Sequence, residues 1–317
     1  MDVTPLERWN GGRKTPRLAL ACSLFFALGC GSTFPRVPPS EVARTPREAT
    51  EVTLCVLYQE RFTRPLWNGV RATGEAWDYT IASALLRHPA GLVLVDPAFG
   101  RSVADDLWRA GPLFQLALGG ARGKRPLVEV MEEAGLSPDD VDYAVVTHVH
   151  WDHVGALADL PRARVLASLG ELKWAQPFTR FVENGAMPHH LKRAKSRLYA
   201  FPFNGPPVDG FQQSFDVFGD GAIVAVPLPG HTPGSTGYLV RGPGGVTYFF
   251  IGDTTWTAKG VELPAHKTLP MDFDQAALTT TLARVHAMAE ARAGELVVLP
   301  AHDAGALSKL PPCGEAR

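Results

Sequence analysis

Apolar positions along the chain fall into short, β-branched runs closed by turn-forming residues. Residues 51–57, 92–95, 141–146, 163–167, 222–226, 246–251 and 295–299 read as strands, because such runs suit strands buried on both faces. Helical spacing appears in two places. Residues 126–135 put Leu127, Val130, Met131 and Ala134 on one face and stop at Gly135. Asp274 N-caps a helix running to about Ala293, with Leu278, Leu282, Val285 and Ala289 on its core face. Ser137-Pro138-Asp139-Asp140 has the form of a capping box with Pro at the first position. Residues 58–88 read as a long, aromatic-rich connection in which Trp67, Trp77 and Tyr79 serve either a substrate wall or simple packing. Residues 171–195, with Trp174, Phe178 and Phe181, read as a mainly helical insertion, one use of which is a lid.

The ends of the strands hold the chemistry. Residues 141–146 run into Thr147-His148-Val149-His150-Trp151-Asp152-His153-Val154-Gly155, which puts three imidazoles and a carboxylate inside six residues. Ligand crevices in α/β proteins lie at this end of a strand. His148 and His150, two apart on extended backbone, project the same way, while Asp152 and His153 follow on a turn and aim at a second point. That arrangement suits two metal ions rather than three surface histidines with a capping aspartate. Imidazole and carboxylate without nearby thiolate suit Zn²⁺ or another borderline divalent ion. Further strands end in Pro229-Gly230-His231-Thr232-Pro233-Gly234, in Gly252-Asp253 and in Pro300-Ala301-His302, so polar residues at four strand exits converge on one site. Asp96, where residues 92–95 stop before Pro97, is either an orienting partner or a turn cap. His189 and His190, without strand context, are expected at the surface, and His286 is expected exposed or packed on the last helix.

Composition narrows the function less than the motifs do. The 317 residues are 45% hydrophobic with net charge −1, so no basic surface points to a nucleic-acid partner. The N-terminus reads apart from the rest: Arg13, Lys14 and Arg17 precede an apolar run over residues 18–28, too short to span a bilayer but fitting a signal-peptide core. Its ending, Ala27-Leu28-Gly29-Cys30-Gly31-Ser32, resembles a bacterial lipobox. Residues 1–29 are then a signal peptide, Cys30 a lipidated membrane anchor, 30–50 a Pro-rich tether and 51–317 the functional domain. The expected location is the cell envelope, facing the periplasm or the exterior, with plain secretion as the alternative. Cys55 and Cys313 remain, and an oxidising envelope permits them to pair.

Taken together, His-x-His-x-Asp-His, Pro-Gly-His-Thr-Pro-Gly, Gly-Asp and the late histidine resemble the metallo-β-lactamase-fold hydrolases over about residues 52–305. The resemblance implies an α/β protein, a four-layer αββα sandwich of two mixed sheets with metals at one edge. It places His148, His150 and His231 around one ion, Asp152, His153 and His302 around the other, and Asp253 between them. Such a centre hydrolyses ester-like bonds by a shared water that loses its proton near neutral pH. Asp152 and Asp253 are then the catalytic carboxylates, Asp152 holding or relaying the proton.

An aspartate at 253, rather than Cys or Ser, points away from true β-lactamases. Phe218-Gly219-Asp220-Gly221 and the His-Val-His-Trp-Asp-His run resemble the acyl-homoserine-lactonase-like branch, so a small lactone is the favoured substrate. Glyoxalase II-like thioester or other ester hydrolysis is the alternative. Phosphodiester cleavage, an iron-dependent oxidoreductase and a non-catalytic zinc protein rank below these. One departure stands out: such lactonases carry Tyr three residues after the bridging Asp, where this chain has Trp256. Its indole is expected either beside the metals as a pocket wall, with its N–H free for a substrate oxygen, or packed under the loop.

Overall fold

The computed structural model describes residues 50–65, 76–112, 115, 124–176, 185–267 and 271–314. Among the described residues, eleven strands form two mixed sheets. The first holds β1 (Thr53–Pro65), β2 (Ala76–His88), β3 (Gly91–Val95), β4 (Val141–Val145), β5 (Arg164–Ser168) and β6 (Leu198–Phe201) in sequence order. Its first three strands are antiparallel and the rest parallel. The second runs β11 (Leu296–Pro300), β10 (Thr247–Gly252), β9 (Thr236–Arg241), β8 (Ile223–Pro227) and β7 (Phe215–Asp216), with only the β10–β11 pair parallel.

Side-chain alternation makes the layers. In β8, Ile223 and Ala225 face the core between the sheets, while Val224 and Val226 face outward. In β3, Val93 and Val95 face that same inner core, and Leu94 faces out. On the outer side of the second sheet lies helix α7 (Gln275–Ala291), whose Val285 and Met288 are fully buried, with Asp274 capping it through Ala276 and Ala277 N–H. On the outer side of the first lies α2 (Leu127–Glu133), seated by Leu127 and Met131. The four-layer sandwich expected from the motifs is therefore present. Gly135 ends the α2 turn at φ 71°, and the Ser137 capping box forms as expected.

The departures are local. Residues 58–88 are not a connection: β1 and β2 pair along 13 residues each, interrupted by a bulge between Tyr58 and Glu60. Polar Gln59, Thr80 and Ser83 are buried and hydrogen-bonded there, which breaks the apolar pattern that marks a strand. The short strands β6, β7 and β9 were not anticipated; β9 starts directly after the Pro-Gly-His loop and opens with Thr236-Gly237. At the two ends of the insertion, helices α4 (Leu169–Ala175) and α5 (Pro188–Ala194) pack into the outer layer through Ala175 and Ala194, and residues 177–184, on which the lid reading falls, lie outside the described residues. Trp67, Phe178, Phe181, the signal peptide, Cys30 and most of the tether lie outside the described residues. Among the described residues, no helix is long and apolar enough to cross a membrane. Cys55 and Cys313 form a disulfide across 258 residues of chain.

Candidate metal centre

The loop leaving β4 is shaped by Asp96 at the neighbouring β3 exit. Asp96 holds a left-handed φ of 50°, costly for a residue with a side chain. Its carboxylate accepts from Thr147 N–H and Thr147 Oγ1, each at 2.7 Å, and from His153 Nδ1 at 2.9 Å. Thr147 Oγ1 gives its proton to Asp96, so it accepts from His148 Nδ1 at 3.1 Å. The short helix α3 (Trp151–Val154) then begins behind His150 and carries Asp152 and His153.

In the second sheet each exit is set separately. Gly230, at φ 139°, lies so close to Leu278 of α7 that no Cβ would fit, which brings His231 in tight. His231 Nδ1 donates to Asp272 at 2.9 Å, and Asp272 in turn pairs with the buried Lys267 at 2.6 Å. Gly252, at φ 51°, passes against Thr147 where a side chain would clash, and delivers Asp253. His302 Nδ1 donates to the backbone oxygen of Thr80 at 3.0 Å, and its ring stacks on Tyr79.

These bonds fix tautomers. In His148, His153, His231 and His302 Nδ1 is the hydrogen-bond donor, so each ring turns its Nε2 inward. His231 Nε2 and His150 Nδ1 lie 3.0 Å apart. Asp253 Oδ1 is 3.3 Å from His153 Nε2 and 3.1 Å from His302 Nε2, while Oδ2 is 3.5 Å from His231 Nε2. His148 Nε2, His153 Nε2 and Asp253 Oδ1 are buried without a hydrogen-bond partner. Buried, inward-facing nitrogen and carboxylate atoms without hydrogen-bond partners are what a cation requires. Three donor sets each gather within 4.8 Å: His148 with His150 and His231; His148 with His153 and Asp253; Asp152 with His153 and His302. The residues present fit two divalent ions, with Asp253 facing both.

Charge divides the centre. Burial, then the neighbouring imidazoles, hold His148 and His150 well below the ordinary histidine range. Burial and then the Lys267 charge lower His231. On the other side burial also opposes charge, but the carboxylates of Asp253, Asp96 and Asp152 outweigh it and hold His153 well above that range. Asp253 raises His302 in the same way against burial. Burial alone would raise Asp253; His302 and His153 pull it well below the carboxylate range.

A family model described as the metallo-beta-lactamase superfamily matches residues 77–302. The chain belongs to the metallo-β-lactamase superfamily. It is a hydrolase of that metal-dependent superfamily. N-acyl homoserine lactonase AttM of Azorhizobium caulinodans is 29% identical over 199 residues, 61% of this chain and 73% of that protein. AttM of Agrobacterium fabrum is 27% identical over 213 residues, 66% and 78% of the two chains. Among solved structures, a B. thuringiensis AiiA variant with N-decanoyl-L-homoserine at its active site superposes with TM-score 0.61 at 17% identity. That match covers 84% of this chain and 99% of AiiA. The dizinc quorum-quenching lactonase AidC gives TM-score 0.57 at 16% identity, over 80% and 88% of the two chains. At such identities these structures show the superfamily fold.

Within this metallo-β-lactamase frame, all seven sequence-assigned ligands meet at one edge of the sandwich: His148, His150, Asp152, His153, His231, Asp253 and His302. Trp256 is beside them, its ring edge-on to His302, but its N–H is not free as expected. It donates to Asp253 Oδ2 at 2.7 Å, because the turn after β10 brings the indole back over its own carboxylate. Tyr79 reaches the centre through His302, whereas Trp77 packs edge-on behind Tyr79. His286 is packed, donating to the Val261 oxygen. His190 is fully buried and His189 half-buried, contrary to their expected surface position, because α1 (Val103–Ala110) covers α5. Asp272, Lys267, Thr80 and the buried Glu171, which accepts from Val149 N–H, Thr232 Oγ1 and Gly234 N–H, escaped the sequence reading. Only their packing across distant segments reveals them.

Proposed function

We propose that this hydrolase opens lactones, N-acyl homoserine lactones above all, using two zinc ions held by the seven converging side chains. The observation that carries this is the ligand array itself: tautomer-fixed Nε2 donors on both sides of Asp253, in a chain whose relatives include the AttM lactonases. When bound, the ions supply acidity to water near neutral pH and polarise the ester carbonyl. Asp152 is the site carboxylate with solvent access, its side chain 17% exposed, and its Oδ2 lies 3.7 Å from His302 Nε2. It takes the proton released as water adds to the lactone carbonyl carbon and returns it to the ring oxygen as the C–O bond breaks. Asp253 and its Trp256 donor hold the two halves of the centre in register. Trp174, near His150, and Phe273, 60% exposed and edge-on to Trp174, give an apolar flank suited to an acyl chain.

A hydrolysis screen of zinc-loaded protein across lactones, open esters, thioesters, phosphodiesters and β-lactams tests this. Lactones should show the highest kcat/KM, with one acid group formed per turnover; a preference for thioesters or phosphodiesters overturns it.

We also propose that Cys30 is lipidated and holds the domain outside the cytoplasm. Its support is the basic stretch and short apolar run before Gly29-Cys30, and the Cys55–Cys313 pair, which suits an oxidising compartment. A Cys30→Ser form should leave the membrane fraction; its retention there refutes the anchor.

A further inference from the structure

The geometry points to a further divalent-cation site formed by Asp106, His189 and His190, apart from the strand-exit centre. Asp106 of α1 faces the first turn of α5, with Oδ1 2.8 Å from His189 Nε2 and Oδ2 3.3 Å from His190 Nε2. All three donor atoms lie within 4.8 Å of one another. Ligands around a tetrahedral zinc ion with bonds of roughly 2.0–2.1 Å stand about 3.3 Å apart, so small adjustments suffice.

The plain alternative is a carboxylate shared by two imidazoles, and it accounts for His189 but not for His190. The His190 side chain is 0% exposed, and neither its Nδ1 nor its Nε2 has a hydrogen-bond partner. A buried imidazole whose Nδ1 has no partner and whose Nε2 meets a carboxylate at 3.3 Å outside hydrogen-bond geometry is costly, and a cation on Nε2 would offset part of that cost. The surroundings suit a metal ligand set. Ser102 Oγ donates to Asp106 Oδ2 at 2.9 Å and orients the carboxylate. The His189 side chain is 24% exposed, which gives an ion an entry path and water a remaining coordination position. Two imidazoles and one carboxylate without thiolate select zinc or a similar borderline divalent ion.

Placed there, the ion joins α1 to α5 and fixes the segment just ahead of α5. Gly185 O accepts from Trp151 N–H at 3.0 Å, and Ala186 pairs with His150 in an isolated β-bridge. Met187 packs with Trp151, Val103 and Leu107. The site would therefore steady the backbone on which His150 is set, without touching the strand-exit centre.

Zinc-saturated protein, freed of loose metal by gel filtration, tests this by elemental analysis of wild type, His189→Gln and Asp106→Asn. The wild type should hold one ion per chain more than either variant. That difference is independent of how many ions the strand-exit centre holds and of which ester it cleaves. Equal counts in all three, with far-UV circular dichroism unchanged, overturn the proposal. Should the variants lose the wild-type spectrum, ¹⁵N-histidine NMR of the wild type decides. Final zinc additions should shift the His189 and His190 Nε2 resonances, and unmoved resonances overturn the site.

Discussion

The first sheet and the second build the centre by different means. The first delivers His148, His150, Asp152 and His153 on one tight loop, and a single residue, Asp96, holds that loop at both Thr147 and His153. The second delivers His231, Asp253 and His302 from three separate exits. Each has its own support: Asp272 with Lys267, Trp256, and the Thr80 oxygen. Support in the first region is shared and in the second divided, so damage should spread in one and stay local in the other.

The ligands themselves are the severest break. His148→Ala and His231→Ala should each lower kcat/KM on the order of a thousandfold, about 4 kcal/mol of barrier. Circular dichroism should be unchanged, because the sandwich core does not depend on either side chain. A variant retaining near-normal turnover and full metal content would remove that residue from the ligand set.

Glu171 is a contact that the two regions share, since it accepts from Val149 on one side and Thr232 and Gly234 on the other. Burial pushes its carboxyl from 4.5 up to about 7, against the pull of those donors. The folded state then binds the proton more tightly than the unfolded chain. This contribution to stability is present below pH 4.5, falls as pH rises toward 7 and is flat beyond. The loss is about 3 kcal/mol. Urea midpoints across that range should slope down more steeply for wild type than for Glu171→Gln; parallel slopes contradict it.

Shared against divided support is tested by pairing Asp96→Asn with Asp272→Asn. Removal of an orienting partner costs roughly 10- to 100-fold in metal affinity or activity. Asp96→Asn should reach the upper end, because it frees both the loop backbone and His153, and Asp272→Asn the lower. Zinc dissociation constants measured by competition with a chelator would show the contrast, and equal losses would erase it. Smallest is Trp256→Phe, which removes one donor from Asp253 and should cost about tenfold in kcat/KM, near 1.4 kcal/mol. No change would make the indole a wall alone.

The same contrast explains what could be read from the residues alone. The first region was legible because its ligands are neighbours in the chain, and the second because Gly or Pro marks the exits at Gly230, Gly252 and Pro300. Asp272 and Glu171 were invisible, since their partners His231, Val149 and Gly234 lie 41, 22 and 63 residues away and no local pattern links them; Lys267, beside Asp272, also donates to the Asp253 backbone oxygen 14 residues away. His190 was misread for a related reason: the helix that buries it belongs to a distant segment. The β1–β2 hairpin was missed because buried polar side chains that pair with backbone interrupt its apolar rhythm.

The outer edge of β1 has a consequence for synthesis. Val52 N–H is taken up by the Arg241 oxygen, Val56 N–H by the Pro311 oxygen, and the Val56 oxygen by Cys313 N–H. The strand that emerges early on the ribosome thus waits for residues near the far end of the domain before its margin is closed. Until then it offers unpaired amides and carbonyls to any other nascent chain. A holding chaperone would guard that interval, and a stop ahead of Pro311 would leave the margin open for good.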